Sequence, residues 1–382
     1  MNATLNLIQF RICRESFRNI CLAPGSLACP YKIQPSGRII AIHNRVVCLT
    51  TRPSGPLAPE HFTIIDADVP TLSPGEVLIR NTWLSIDPSI RLRLSATTPS
   101  GYLRSLDPGD PLVGLAIGTV VESRSPGFTA GDMVSHMFGY RSYAVVTADG
   151  ETFGGAGGLT KITPGDFPPQ WYLGPLGSAG LTAYVGLFKI IELKNDDVLW
   201  VSAAAGAVGS IAVQLAVLRG NTVVASAGGP EKVEYLRSVL GAPHAIDYRA
   251  GDLKTQLTEA VPGGIDAYFD NVGGDHLGAA LDQLRPGGRI AMCGAVSTYD
   301  TSSPTPGPTN LFQITAKSLQ MRGFRAGAYD ELYADVRSEV GGYLAKGMMT
   351  YQETVFEGLD LAPTALVGML NGNNTGKTLC RL

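Results

Sequence analysis

One stretch, Val198-Leu-Trp-Val-Ser-Ala-Ala-Ala-Gly-Ala-Val-Gly-Ser210, limits this chain more than any other. The apolar run Val198–Ser202 reads as a short buried strand. It leads straight into a turn of small residues, and a helical pattern follows from Val208 to Arg219. Strand, glycine turn and helix, in that order, are the context in which G-x-G-x-x-G binds a dinucleotide. Here the first glycine is Ala204, which leaves A-x-G-x-x-G over Ala204, Gly206 and Gly209. Alanine is tolerated at that place if its φ is negative. Gly206 lets the backbone approach a pyrophosphate, and Gly209 lets the helix pack closely on the sheet. The helix N-terminus offers free N–H groups to the phosphates.

The chain downstream repeats the theme. Strands are expected at Thr222–Ser226, Ala245–Asp247, Asp266–Phe269, Arg289–Cys293 and Leu319–Phe324, with helical stretches between them and a clear helix over Glu231–Leu240. Strands alternating with helices predict an α/β fold with a doubly wound parallel sheet. An NAD site places a carboxylate near the end of the second strand to hold the ribose 2′-hydroxyl. That place reads Ser226-Ala-Gly-Gly-Pro230, without an acid, and Lys232 and Arg249 follow it. Cations without a carboxylate suit a 2′-phosphate, so the sequence favours NADPH.

Before residue 170 the texture differs. Glu76–Arg80, Gly118–Glu122, Met133–Met137 and Tyr143–Val146 read as strands set off by Pro and Gly, with a turn at Phe128–Asp132. A helix pattern near 330–346 and a strand at Thr378–Arg381 close the chain. The 382 residues suffice for two domains with full cores. A net charge of -3 gives no reason to expect a nucleic acid or a membrane surface as partner. No apolar run approaches the ~18 residues needed to span a bilayer. Residues 1–43 are basic and hold one acid, Glu15. They fit a mitochondrial presequence, a disordered extension or a start assigned too far upstream. The expected compartment is the cytoplasm, or the mitochondrion if they are a presequence.

Several sites are excluded on spacing. The six cysteines, at 13, 21, 29, 48, 293 and 380, include no C-x-x-C pair and no Cys/His spacing for zinc. His43, His61, His136, His244 and His276 are badly placed as metal ligands, and His136 and His276 read as surface or structural residues. No metal site is expected. Gly372-Asn-Asn-Thr-Gly-Lys-Thr378 mimics a phosphate loop, but three residues rather than four separate its glycines and no helix follows. No tyrosine has a lysine four residues on, which excludes the Y-x-x-x-K pair of short-chain dehydrogenases.

The motifs "SAAAGAVGS", "AGGPEKVEYL", "IDY", "YFDNVGG", "CGAVSTY" and "NTGKTL" occur in that order, after "NRVVCLTTRPSG" and "LSIDPSIRLRL". Together they resemble the zinc-independent medium-chain reductases of the leukotriene B4 12-hydroxydehydrogenase and prostaglandin reductase type, a group that includes alkenal double-bond reductases and bacterial curcumin reductases. The resemblance runs from Asn44 to Leu382. It implies a GroES-like β-rich substrate domain from residues 44–170 and 326–382, around a Rossmann domain at 171–325. It implies NADPH-dependent reduction of the C=C bond of a small unsaturated aldehyde or ketone without zinc, and a homodimer joined through edge strands of the Rossmann sheets. By matching position, Gly206, Ala207, Val208 and Gly209 meet the pyrophosphate, and Lys232 and Tyr248 hold the adenosine phosphates. Asn271 and Cys293 lie along the cofactor, Asn374 contacts the nicotinamide end, and Tyr299 stands near the reacting centre as the catalytic donor. One departure concerns the substrate: Ser89 stands where the family's D-P-Y-M-R-x-R-M has an aromatic residue, which implies a wider or more polar pocket. A quinone reductase of the same superfamily is the enzymatic alternative, and a non-catalytic NADPH-binding relative the other.

Overall fold

Six short strands form a parallel sheet with helices on both faces, so almost every side chain in the central strands can be apolar. Its spatial order is His244–Asp247, Thr222–Ala227, Val198–Val201, Ile265–Asp270, Leu284–Met292, Gln320–Gly323. Every neighbouring pair is parallel. In chain order this is 3-2-1-4-5-6, the doubly wound arrangement. The winding reverses between Val198–Val201 and Ile265–Asp270, which opens a crevice at the carboxyl ends of those two strands. Trp200, Tyr268 and Phe269 are fully buried. Tyr268 keeps its hydroxyl satisfied by donating to Asp270 Oδ1 at 2.8 Å, with Ser202 Oγ 3.0 Å away on its other side.

The computed structural model describes residues 43–150, 158–163, 165–301 and 305–382, preceded by the backbone of a short pair, Lys32–Ile33 with Ile39–Ile40. The rest of the basic extension expected at 1–43 lies outside the described residues. Both ends of the described chain build the second sheet. Its order is Glu353–Glu357, Lys377–Arg381, Glu76–Ser85, Ala116–Ser123, Met133–His136, Thr160–Lys161, and Tyr143–Thr147 also pairs with Glu76–Ser85. Lys377–Arg381 runs antiparallel to Glu76–Ser85, so the last strand is stitched to one nearly 300 residues earlier. A separate antiparallel pair, His43–Leu49 with Phe62–Asp68, supplies Val47, Leu49 and Phe62 to a core shared with Leu84, Ile86 and Leu366. The molecule thus combines a GroES-like β-rich unit with a Rossmann sheet.

Several boundaries differ from the sequence reading. The glycine-containing segment Gly177–Tyr184, given no element from the sequence, builds the helix Ser178–Val185. Its glycines are there for close approach: a Cβ on Gly177 would stand 1.9 Å from Tyr172 O, and one on Gly180 1.9 Å from Pro175 O. The helix expected over 231–240 is α-helical only at Pro230–Glu234 and widens to a π-helix at Tyr235–Val239. The strand at Glu353–Glu357 and the helix Ala362–Leu370 escaped the periodicity altogether. The helix Tyr333–Ala345, expected with the β-rich unit, buries Val336, Val340 and Leu344 in the cluster that holds Ala183, Leu187 and Leu215 of the Rossmann side.

The two histidines read as surface or structural residues are both buried, so the surface half of that reading fails. His136 lies 2.9 Å from Asn81 Oδ1 through Nε2 and accepts the Phe138 N–H on Nδ1 at 3.1 Å, which fixes a neutral tautomer. Burial, and then Arg141, push its pKa down to about 3, while burial takes His276 to about 4 despite the opposing charge of Asp275. The unfolded chain protonates each near pH 6.5 and the folded one does not. Stability contributed by each histidine is therefore full above pH 6.5 and falls on acidification by about 1.4 kcal/mol per pH unit. Urea unfolding between pH 6.5 and 4.5 should show a flatter slope in His136→Gln than in the parent by about that amount per unit. Equal slopes would contradict a neutral buried His136.

Candidate active site

The turn after Val198–Val201 carries its strain one residue earlier than the fingerprint suggests. Ala203, at φ 47°, takes the left-handed conformation, whereas Ala204 is not among the residues with positive φ. That conformation costs a non-glycine residue about 1–2 kcal/mol, and such strain collects at functional turns. Alanine at 204 is accommodated because nothing there requires a left-handed backbone. Gly206 caps the helix Ala207–Leu218 with extended backbone and no side-chain cap, and Ala207, Val208 and Gly209 of the first turn line the cleft. Uncapped first-turn N–H groups facing a cleft form an anion site. A Cβ on Gly209 would lie 2.4 Å from Ala203 O and 2.8 Å from Ala204 Cα, so only glycine lets helix and turn meet this closely.

At the far end of the turn, cations converge. Lys232 Nζ donates to Gly372 O at 2.7 Å. Burial, then the charge of Arg249, lower the Lys232 pKa. Tyr248 is 38% exposed, and the Arg249 guanidinium stands 5.6 Å from its ring centroid. A Cβ on Gly228 would meet Arg249 Nε at 2.7 Å and Tyr248 Oη at 2.9 Å, so the second-strand glycine gives both side chains their room. Asp247, two residues before Arg249, is occupied: its Oδ1 accepts the Gly229 and Arg249 N–H groups, both at 2.9 Å. Two like charges near an uncapped helix N-terminus give this end of the cleft the chemistry of a phosphate site.

The residues between these poles line one cleft of about 1600 Å³. Asn271 donates through Nδ2 to Ser202 O at 2.8 Å, which ties the fourth strand's end to the first. Burial, and then Asp270, push the Cys293 thiol up to about 12, so it is a neutral wall and not a nucleophile. Asn374 donates to Gly376 O at 3.0 Å. Tyr299 accepts the Ala295 N–H on its hydroxyl oxygen at 3.1 Å, which leaves its own hydrogen for a ligand. Burial raises its pKa above the ordinary value, so it keeps that hydrogen through neutral pH. Ser89 lines the same cleft just ahead of the short helix Ile90–Arg93. Every residue named as a site from the sequence is brought to this cleft except Ala204, which is buried beneath the turn and shapes it from below.

Two features escaped the sequence reading. The segment that mimics a phosphate loop closes the cleft instead: Gly376 donates to Ala205 O at 2.7 Å, and the Lys377 ammonium is spent on Asp87 Oδ1 at 2.8 Å and Ile86 O at 2.9 Å. Arg91 pairs with Asp300, next to Tyr299, across 209 residues of chain. Neither is signalled by local spacing.

Residues 45–153 match a family model described as the N-terminal domain of oxidoreductase, and residues 207–339 one described as zinc-binding dehydrogenase. Over 346 residues the chain is 38% identical to the NADPH-dependent curcumin reductase of Escherichia coli (strain K12), covering 89% of this chain and 97% of that protein. The chain belongs to the medium-chain dehydrogenase/reductase family, in the group of the curcumin and 2-alkenal reductases. Within this reductase group it is also 40% identical over 303 residues to the NADP(+)-dependent 2-alkenal reductase of Nicotiana tabacum, covering 79% of this chain and 86% of that one. The crystal structure of CurA from Vibrio vulnificus in complex with NADPH superposes with a TM-score of 0.80 at 35% identity, over 88% of this chain and 98% of its own. Among the described residues no group of three or more His, Cys, Asp or Glu is placed to hold a metal ion.

If Gly209 is there for close packing, Gly209→Ala should destabilise the fold by about 1–3 kcal/mol through overpacking. Thermal unfolding would show this as a lowered Tm. An unchanged Tm would mean that the turn yields and the contact is not limiting.

Proposed function

We propose that this reductase uses NADPH to saturate the C=C bond of small α,β-unsaturated aldehydes and ketones, leaving the carbonyl in place. The observation that carries the reading is Tyr299: a protonated hydroxyl whose own hydrogen is uncommitted, in the same cleft as the glycine turn and the Lys232–Arg249 pair. NADPH, when bound, supplies the hydride that adds to the β carbon. Negative charge then grows on the substrate's carbonyl oxygen, where Tyr299 donates a hydrogen bond. A donor placed where negative charge develops lowers the barrier by stabilising that charge. Tyr299 or solvent returns a proton to the α carbon.

Gly206, Ala207, Val208 and Gly209 take the pyrophosphate in this reading, with Ala204 shaping the turn. Lys232, Arg249 and Tyr248 take the adenosine phosphates. Asn271 and Cys293 flank the cofactor's length, Asn374 its nicotinamide end, and Ser89 widens the substrate side. We assign substrate handling to residues 44–170 and 326–382 and cofactor handling to 171–325. The same reading gives a homodimer: Gln320–Gly323 is an open sheet edge exposed along its length, with its own Met321 at 40% and Phe312 of the preceding helix at 77% exposure. Among the described residues no helix is long and apolar enough to cross a membrane.

Two outcomes are expected. Lys232→Ala and Arg249→Ala should each weaken NADPH about 10- to 100-fold in fluorescence titrations, the loss of a charge-assisted hydrogen bond, while leaving NADH binding unchanged. Equal losses for both cofactors would remove these residues from the 2′-phosphate. Tyr299→Phe should lower kcat for an enone by about 10²-fold at unchanged NADPH affinity. A wild-type kcat would exclude Tyr299 as the donor.

A further inference from the structure

The hydroxyl of Tyr299 belongs to a turn that is fixed at two places. One end is tied to the Rossmann sheet: Cys293 and Gly294 donate to Asp270 O at 2.9 and 3.0 Å, and Val296 and Ser297 donate to Asn271 O and Val272 O, both at 3.2 Å. Ser297 Oγ adds a bond to Val272 O at 2.6 Å. The other end is held by the opposite unit. Asp300 Oδ1 accepts from Arg91 Nε at 2.6 Å, and both carboxylate oxygens stand 3.0 Å from the Leu57 N–H. Arg91 is itself locked, with Nη1 on Ser95 Oγ at 3.2 Å and Nη2 on Gly55 O at 3.1 Å. Its side chain is 3% exposed and that of Asp300 18%.

Arg91 lies two residues from Ser89, in the segment that lines the substrate side of the cleft. Asp300 directly follows Tyr299. One guanidinium therefore joins the wall that touches the substrate to the turn that carries the hydrogen-bond donor. A planar fork with three separate acceptors fixes direction as well as distance, which a lysine at 91 would not do. We infer that the Arg91–Asp300 pair is a positioning pair, holding the Tyr299 hydroxyl at its place over the cleft by anchoring its turn to the Gly55–Leu57 and Ser89–Ser95 segments. The inference rests on Tyr299 being the donor proposed above. It explains why a buried charge is kept at 91: Asp300, Gly55 and Ser95 together satisfy it.

If the pair acts through Tyr299, its loss costs rate only while the hydroxyl is present. The test is a double-mutant cycle on kcat, with Asp300→Ala, Tyr299→Phe and both together. Asp300→Ala should lower kcat about 10- to 100-fold, the cost of a misplaced group, with NADPH affinity unchanged by fluorescence titration. In the Tyr299→Phe background the same change should cost less than about twofold. Asp300→Asn, which still accepts the Leu57 N–H and one Arg91 bond, should recover part of the rate, and it replaces Asp300→Ala in the cycle if that variant melts below assay temperature. An equal loss in both backgrounds, or no loss with Tyr299 intact, overturns the positioning role. A wild-type rate in Tyr299→Phe overturns the donor assignment itself and the pair with it, whereas a slow but additive Tyr299→Phe overturns the pair alone.

Discussion

The hydrogen bond from Gly376 N–H to Ala205 O, at 2.7 Å, is where the two units of this molecule meet at the glycine turn. It pairs the entry to the last strand of the β-rich sheet with the turn at the end of the first Rossmann strand. Gly376 has φ 69°, and a Cβ there would stand 1.8 Å from Gln352 O. Only glycine fits, and through it the loop 372–376 lies against the dinucleotide turn. The cleft has its second wall for that reason. The Lys232 bond to Gly372 O is a second stitch along the same seam. The Lys377 ammonium, 3% exposed and held by Asp87 and Ile86 O, ties that loop to the Asp87–Ser89 turn on the substrate side.

Charge is distributed along the cleft according to what each part handles. The cations Lys232 and Arg249 are at one end, with the nearest carboxylate occupied by backbone donors. The middle is neutral, with a protonated Cys293 thiol and an Asn271 amide turned to Ser202 O. Tyr299 adds a protonated phenol to the same cleft. In the function proposed above, phosphates meet the cations and developing negative charge meets the phenol.

Much of this was legible in the sequence. Strand, small-residue turn and helix over 198–219 identified the crevice, since local spacing determines local backbone. The missing acid after Thr222–Ala227 pointed to the cationic end for the same reason. What escaped depends on chain that is remote. Ala203 carries the positive φ because the turn must clear Gly209, which no fingerprint encodes. The helix Ser178–Val185 has no clear local sign because its glycines are there for close contact with Tyr172 O and Pro175 O rather than to break a helix. His276, read as a surface or structural residue, is buried in the helix Gly274–Gln283 and stacks on Trp200 at 5.8 Å between centroids, a contact with chain more than 70 residues away. The Arg91–Asp300 and Lys377–Asp87 pairs join residues more than 200 positions apart, and a single sequence carries no local sign of either.

The most direct test of the central claim follows where the hydride goes. An enone reduced with NADPH deuterated at the transferring position of the nicotinamide would be examined by NMR of the product. The account predicts deuterium on the former β carbon and an intact carbonyl. Deuterium on the carbonyl carbon, with the double bond retained and an alcohol formed, would contradict it.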